Sequence, residues 1–257
     1  MNTISIALQG LIRSEIRNIT VVSVAGARYA SRDIEGMRRH LDSLLAQGKI
    51  LPLSNPSIFR IGSYLLTQSS EFEVQGPMTG GESEVVAIRD LDGRILITVG
   101  SDQCDREVEP LFGDKTKQMC PHPVASTAWY YDEIRDHWDS LKLSSQVTVG
   151  KETVQLQDSA ISSLVDLEYL LGMEKVRSLR LPMVLFCGAV AFRESVSAEV
   201  FERNLPPETA EGIGDSFLVQ LYDPVLKRSI EHRYRAIPLG DDLEERRTIQ
   251  RGLSIDD

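Results

Sequence analysis

Two glutamates separated by one residue stand directly in front of a β-branched run in the segment GESEVVAI. Side chains alternate along an extended chain, so Glu82 and Glu84 are expected on the same face of a strand. A third acid, Asp102, directly follows the next apolar run, ILITVG. The turn signal Asp92-Gly93 lies between the two runs and predicts a hairpin that returns Asp102 to the two glutamates.

Three converging carboxylates constrain the chemistry of this region. Without a counter-ion they repel one another and raise each other's pKa. Mg²⁺ and Mn²⁺ prefer carboxylate oxygens and leave their other positions to water and substrate. Glu82, Glu84 and Asp102 are therefore candidate ligands of Mg²⁺ or Mn²⁺. The alternative, which spacing alone leaves open, is a solvated Glu-x-Glu pair and an Asx-turn at Asp102.

Three segments carry a wider resemblance: GESEVVAI, then DGRILITVGSDQCDREVE, then KTKQMC. They resemble the fumarylacetoacetate hydrolase superfamily, whose members show Glu-x-Glu at a strand start, a pattern like Asn-Asp-Val-Ser-Ala-Arg-Asp-Leu-Gln, and then a lysine. The similarity extends over about residues 58 to 195. Flanking segments look most like an uncharacterised bacterial and fungal subgroup of fumarylacetoacetase-like proteins.

The resemblance implies a divalent-metal-dependent enzyme that acts on a β-keto acid or an acylpyruvate-type 2-oxo acid through a metal-stabilised enolate. It makes Lys117 the catalytic cation, although Lys115 is close enough in sequence to compete. Arg106 is a candidate for binding the substrate carboxylate, with an internal salt bridge as its alternative. His122 follows Lys117 closely and is a further catalytic candidate.

Substrate-binding candidates and departures from the family pattern both lie outside the acidic motif. The candidates for substrate binding are Arg60, Gln157 and Gly188. Family members often place threonine hydroxyls where this chain has Ala160 and Ala189.

The reaction type follows from a missing base. Hydrolytic members activate water with a histidine, and no histidine lies between Phe59 and Lys117. This absence favours decarboxylation. C–C bond hydrolysis, hydration or isomerisation, and a pseudoenzyme that keeps the fold as a binding module remain alternatives.

Composition excludes several other classes of protein. The chain has 257 residues and a formal net charge of −10, which disfavours a general nucleic-acid surface. Its apolar runs fall far short of the roughly 18 residues that a membrane helix needs. The N-terminus lacks the pattern of a secretory signal, so a cytoplasmic location is expected. Three widely spaced cysteines predict reduced thiols. The family resemblance implies a homodimer.

The predicted fold is a β-rich α+β architecture, a mixed β-sheet roll of the fumarylacetoacetate hydrolase type. Residues 1–56 are expected to form a small N-terminal β-α appendage, residues 57–240 the catalytic domain and residues 241–257 a charged tail. Within these, periodicity predicts an amphipathic helix over Ser31–Gly48, with Ser31 or Asp33 as its N-cap, and a second helix is expected over Ile161–Leu171. The segment LPLSNPSIFRIG, residues 51–62, is expected to be a loop, because Pro52 and Pro56 break regular structure.

Overall fold

The computed structural model describes residues 2–12, 14–46 and 55–240, and strands dominate it. The helices are short except for the first. In chain order the elements are β1 Asn2–Gln9, β2 Ser14–Val21, β3 Ser23–Arg28, α1 Ile34–Ala46, β4 Ser57–Ile61, β5 Leu66–Thr67, β6 Glu71–Val74, β7 Thr79–Gly80, β8 Ser83–Arg89, β9 Ile95–Ser101, β10 Cys104–Asp105, α2 Glu109–Phe112, β11 His122–Pro123, β12 Thr127–Tyr130, α3 Tyr131–Ile134, β13 Lys142–Val149, β14 Glu152–Ala160, α4 Leu167–Gly172, α5 Glu174–Arg177, β15 Met183–Ala189, α6 Val196–Glu202, β16 Ser216–Asp223 and β17 Arg228–Pro238.

Two sheets build the body of the molecule. The larger has eight strands in the order β2-β1-β12-β9-β8-β15-β3-β4, and the smaller has five in the order β14-β13-β16-β17-β6. The larger sheet is mixed, because β15 runs parallel to β3 but antiparallel to β8, and β1 runs parallel to β12. The predicted β-rich α+β class with a mixed sheet is confirmed.

Strand β8 lies between two hydrophobic cores. Val85 and Ala87 pack into one cluster, whereas Val86 and Ile88 pack into the other. A strand that is covered on both faces needs apolar side chains at every position, not at alternate positions. The continuous apolar run that follows Glu84 is therefore typical of a central strand. The two glutamates lie at the start of this strand, which is covered on both faces.

Helix α1 begins where the sequence predicts. Asp33 lies just before it and its carboxylate accepts a hydrogen bond from the Gly36 N–H at 2.8 Å, which is an N-cap interaction. The helix is described as far as Ala46. The predicted end at Gly48 lies outside the described residues.

Two predictions of local structure are wrong. Ser57–Ile61, expected as loop, is strand β4, because it pairs antiparallel with β3 at the sheet edge. The predicted helix over Ile161–Leu171 is a 3₁₀ turn at Ile161–Ser163 followed by α4. The Val165 N–H donates to the Ala30 carbonyl at 2.9 Å, so a non-local hydrogen bond replaces the helical one.

The predicted N-terminal segment contributes strands to the main sheet. β1, β2 and β3 all belong to the eight-stranded sheet that also contains β8 and β9. The division at residue 56 stays a prediction, and the predicted charged tail, residues 241–257, lies outside the described part of the chain. No helix within the described ranges is long and apolar enough to cross a membrane.

Truncation of a side chain in the central hairpin should destabilise the fold. Ile97 on β9 is fully buried, so Ile97→Ala is expected to lower the free energy of unfolding by roughly 2–5 kcal/mol. Urea denaturation measures this change. Ile16→Ala is the matched control, because Ile16 is 74% exposed and its truncation should cost no more than about 0.5 kcal/mol. Equal losses in the two variants would contradict the assignment of the core.

Candidate metal and active site

The β8–β9 hairpin brings the three predicted carboxylates to one cavity of about 1080 Å³. Glu84 faces Gly100 across the hairpin. Beyond the last strand pair, the Asp102 N–H donates to the Glu82 carbonyl at 2.9 Å. This backbone hydrogen bond sets the two acids side by side, and all three carboxylates line the cavity.

Glu84 is the most buried of the two glutamates, with 4% of its surface exposed. Burial raises its pKa, and the nearby charges of Asp102 and Glu82 raise that pKa further. A hydrogen bond from the Gly188 N–H to Oε2, at 2.9 Å, opposes the rise. The three acids are thus close enough to repel one another, as the sequence predicts.

Asp102 is held by a lysine through one of its two oxygens. Lys117 Nζ lies 2.7 Å from Oδ2. The other oxygen, Oδ1, is buried and has no hydrogen-bond partner among the described residues, with His122 Nδ1 3.4 Å away. A buried carboxylate oxygen without a partner is costly, and a cation bound at this position would satisfy it.

The donor set fits a hard divalent cation. Arg106 Nη2 contacts Glu82 Oε1 at 3.0 Å, so one oxygen of each acid has a protein partner. Within the described ranges, no three His, Cys, Asp or Glu side chains are already gathered at metal-binding distances. Asp102 nevertheless has an unpartnered oxygen, and the pKa of Glu84 is raised. The protein groups around these acids therefore do not fully compensate their negative charge. A divalent cation held by these carboxylates would relieve both features.

Lys117 supplies a fixed positive charge at the cavity floor. Burial alone would lower its pKa, but Asp102, Cys104 and Glu109 outweigh burial and raise it. The ammonium group therefore stays protonated at neutral pH. Lys115 also lines the cavity but is exposed, so the structure brings Lys117, not Lys115, to Asp102.

Glu109 is a member of this network that the sequence suggests only as one possible salt-bridge partner of Arg106, beside Asp105 and Glu107. Its carboxylate lies 2.6 Å from Arg28 Nη2, 3.0 Å from Arg106 Nη1 and 3.4 Å from Lys117 Nζ. Burial acts to raise its pKa, but these cations outweigh burial and lower it to about 2. The spacing of three residues between Arg106 and Glu109 is the sequence signal for their contact. No sequence signal indicates the contact between Glu109 and Arg28, because Arg28 lies on a distant strand.

Arg106 and His122 support the acids from behind. Arg106 bridges Glu82 and Glu109, so the internal salt bridge considered as its alternative is present. His122 is fully buried and donates from Nε2 to the Lys117 carbonyl oxygen at 2.7 Å. Burial lowers the pKa of His122. The imidazole lies behind Asp102 and not on the cavity wall, with Nδ1 3.4 Å from Oδ1.

Gln157 is fully buried and joins the two sheets beneath the paired glutamates. Its Oε1 accepts from the Ser83 N–H at 2.7 Å and from the Ser145 hydroxyl at 2.6 Å. Its Nε2 donates to the Val190 carbonyl at 2.7 Å. These contacts fix the backbone between Glu82 and Glu84, whereas the amide was predicted to bind substrate and does not line the cavity.

Gly188 contributes through its backbone. Its φ of 99° lies in the region that favours glycine, and a Cβ there would come within 2.9 Å of the Ala30 side chain. The freed N–H donates to Glu84. Arg60 is exposed on β4 and its side chain is not part of the cavity wall. The structure thus brings Gly188 to the acids but not Arg60.

The two alanines at the expected threonine positions differ in place. Ala189 lines the cavity and pairs with Glu84, whereas Ala160 ends β14 and its neighbour Ser159 lines the cavity instead. No histidine whose side chain is described lies on the cavity wall. A conventional histidine base is therefore not found in this part of the structure.

One protein-family model matches most of the chain. The model described as "Protein of unknown function (DUF2848)" matches residues 27–234. The chain belongs to this family. No curated protein matches it significantly.

Solved structures identify the fold. A structure of Cg1458 has a TM-score of 0.59 at 14% identity, covering 87% of this chain and 80% of that one. The 2-hydroxyhepta-2,4-diene-1,7-dioate isomerase from Mycobacterium marinum scores 0.55 at 15% identity, with coverages of 89% and 82%. A 2-keto-3-deoxy-D-arabinonate dehydratase complexed with magnesium and 2,5-dioxopentanoate scores 0.56 at 16% identity, with coverages of 87% and 76%.

These similarities confirm the predicted fumarylacetoacetate hydrolase type of fold. They show the fold alone, so the superfamily resemblance and the particular subgroup stay predictions. At this level of identity they assign neither substrate nor reaction to this chain.

Removal of the Gln157 amide should weaken metal binding more than a general loss of stability explains. Gln157→Leu strands a buried Ser83 N–H, at a cost of roughly 1–3 kcal/mol. It also loosens the backbone between two metal ligands, so Mn²⁺ affinity is expected to fall about 10–100-fold. Titration calorimetry with Mn²⁺ measures the affinity. Gln220→Leu on β16, away from the cavity, should leave it unchanged, and an unchanged affinity in Gln157→Leu would contradict the role.

Acid should destabilise the protein through Glu109. Its pKa is about 2 in the folded state, against an ordinary value of 4.5. The resulting stability is present above the unfolded pKa and is lost as pH falls toward the folded pKa. Between pH 5 and pH 2 this carboxylate should account for on the order of 2 kcal/mol of lost stability. Urea unfolding across that range should show a flatter dependence in Glu109→Gln, and parallel curves would contradict the prediction.

Proposed function

We propose that this protein is a divalent-metal-dependent enzyme that acts on a β-keto acid or an acylpyruvate-type 2-oxo acid through a metal-stabilised enolate. The observation that carries the proposal is the set of three carboxylates on one cavity wall, with Lys117 fixed against Asp102. Two structural neighbours, an isomerase and a dehydratase complexed with magnesium, are consistent with it.

The metal site would consist of Glu82, Glu84 and Asp102. When bound there, Mg²⁺ or Mn²⁺ supplies Lewis-acid stabilisation of negative charge that develops on a carbonyl oxygen. Lys117 adds a protonated ammonium group beside the same acids. Arg106 holds Glu82 in place from outside the cavity, and the His122 imidazole lies behind Asp102.

Decarboxylation is the reaction we favour. Loss of CO₂ needs stabilisation of the enolate but no activated water, and solvent can return the proton. Hydrolysis needs a base near neutral pKa. The cavity wall offers no described histidine side chain, and the pKa of Glu109, about 2, makes it a poor base.

Hydration or isomerisation is the second candidate, because two structural neighbours are named as a dehydratase and an isomerase. The proposal includes a small-molecule substrate and excludes nucleic acid and membrane as partners. It also includes a homodimer and a cytoplasmic location. The net charge of −10 supports the exclusion of nucleic acid.

Metal binding is tested by thermal melting. Millimolar Mg²⁺ or Mn²⁺, at about 100 times the dissociation constant, should raise the midpoint by roughly 5–10 °C because the ion binds the folded state. A Glu82→Ala/Glu84→Ala variant should lose this shift. If the wild type showed no shift, or the variant an equal one, the fold would serve as a metal-independent binding module.

Turnover is tested with a panel of oxaloacetate, acylpyruvates, simple 3-oxo acids and 2-oxo acids in the presence of Mn²⁺. Wild-type protein should release CO₂ from at least one β-keto acid. Lys117→Ala and Asp102→Ala should each lower kcat/KM by about 100-fold or more, as removal of a charge that stabilises the transition state does. Activity that is unaffected by both changes would place the chemistry elsewhere.

A further inference from the structure

The cavity floor carries an uneven set of buried charges. Four lining acids contribute, Glu82, Glu84, Asp102 and Glu109. The lining cations Arg28 and Lys117 oppose them, together with Arg106, which contacts Glu82 and Glu109 from behind. The fully ionised floor therefore has a net charge of −1. A bound dication changes this to +1, which a single substrate carboxylate would neutralise. A second carboxylate would leave uncompensated negative charge in a partly buried site, which is costly.

The cavity rim does not supply the missing positive charge. Three acids line it, Asp114, Asp158 and Glu194, against the two cations Lys115 and Arg193. Arg193 is already engaged, since it donates to the Gln155 carbonyl at 2.9 Å and contacts Glu199 at 3.4 Å. The rim therefore adds no surplus of positive charge for a dianion.

Arg28 is the floor cation best placed to receive a second carboxylate, but two acids occupy it. Its guanidinium lies 2.6 Å from Glu109 and 2.9 Å from Asp114. Glu109 is the inner partner, with 22% of its side chain exposed against 48% for Asp114. Glu109 thus subtracts one charge from the floor and also withholds Arg28 from any anion in the cavity.

We infer that Glu109 is a specificity-determining residue that restricts this site to keto acids with a single carboxylate. The inference rests on the proposed function and narrows its substrate class. Monocarboxylic 3-oxo acids and acylpyruvates with uncharged acyl groups fit this class, whereas oxaloacetate and other dianions do not. The carboxylate of Glu109 is held by three cations. The variant Glu109→Gln keeps the size of the side chain, removes its charge and replaces one accepting oxygen by an NH2 group.

Calorimetry with two ligands of equal chain length tests the inference without turnover. The ligands are 2-oxopentanoate, with one carboxylate, and 2-oxoglutarate, with two. Each is titrated into wild-type protein and into Glu109→Gln, with and without saturating Mn²⁺. Wild-type protein with Mn²⁺ should bind 2-oxopentanoate at least tenfold more tightly than 2-oxoglutarate. In Glu109→Gln this ratio should shift toward 2-oxoglutarate by tenfold or more.

Glu194→Gln is the matched control, because it removes one exposed acid from the rim and leaves the floor intact. Its ligand ratio should stay within twofold of wild type. A wild-type preference for 2-oxoglutarate, or an unchanged ratio in Glu109→Gln, would overturn the role of Glu109 while leaving the 2-oxo acid site standing. If neither ligand bound to any variant in the presence of Mn²⁺, the proposed function itself would fail, and this inference with it.

Discussion

Electrostatic repulsion among Glu82, Glu84 and Asp102 is the constraint to which the rest of the site responds. The β8–β9 hairpin holds these acids together through backbone hydrogen bonds, so they cannot separate without breaking the central sheet. Lys117 and Arg106 relieve part of the repulsion, and the Gly188 N–H relieves another part. One buried oxygen of Asp102 still has no hydrogen-bond partner among the described residues, and the pKa of Glu84 stays raised. A divalent cation accounts for both features.

The fold supplies the rigidity that this arrangement requires. β8 is covered by hydrophobic cores on both faces, which explains why its end can hold buried acids at fixed positions. Gln157 then connects this strand end to the second sheet and to the segment after β15. The glutamates are therefore positioned by elements that are distant in sequence, and their geometry depends on the whole two-sheet body.

Local sequence signals were sufficient for one part of the site and insufficient for the other. The hairpin and the three acids follow from a turn signal and strand alternation, and Lys117 follows from the family resemblance. Arg28 could not be joined to Glu109 in this way, because the two meet only when β3 and the segment after β10 pack together. The roles of Gln157 and His122 were also hidden, since sequence does not show whether a buried polar group faces a cavity or the backbone behind it. The continuous helix expected at Ile161–Leu171 does not form, because the Val165 N–H donates to the Ala30 carbonyl, which is distant in sequence.

The central claim is that the three carboxylates share one divalent ion. An anomalous difference map from manganese-soaked crystals tests it most directly, because it locates the ion without reference to activity. We predict one strong peak within coordinating distance, about 2.0–2.3 Å, of oxygens from Glu82, Glu84 and Asp102. A well-ordered map with no peak beside those side chains would contradict the account.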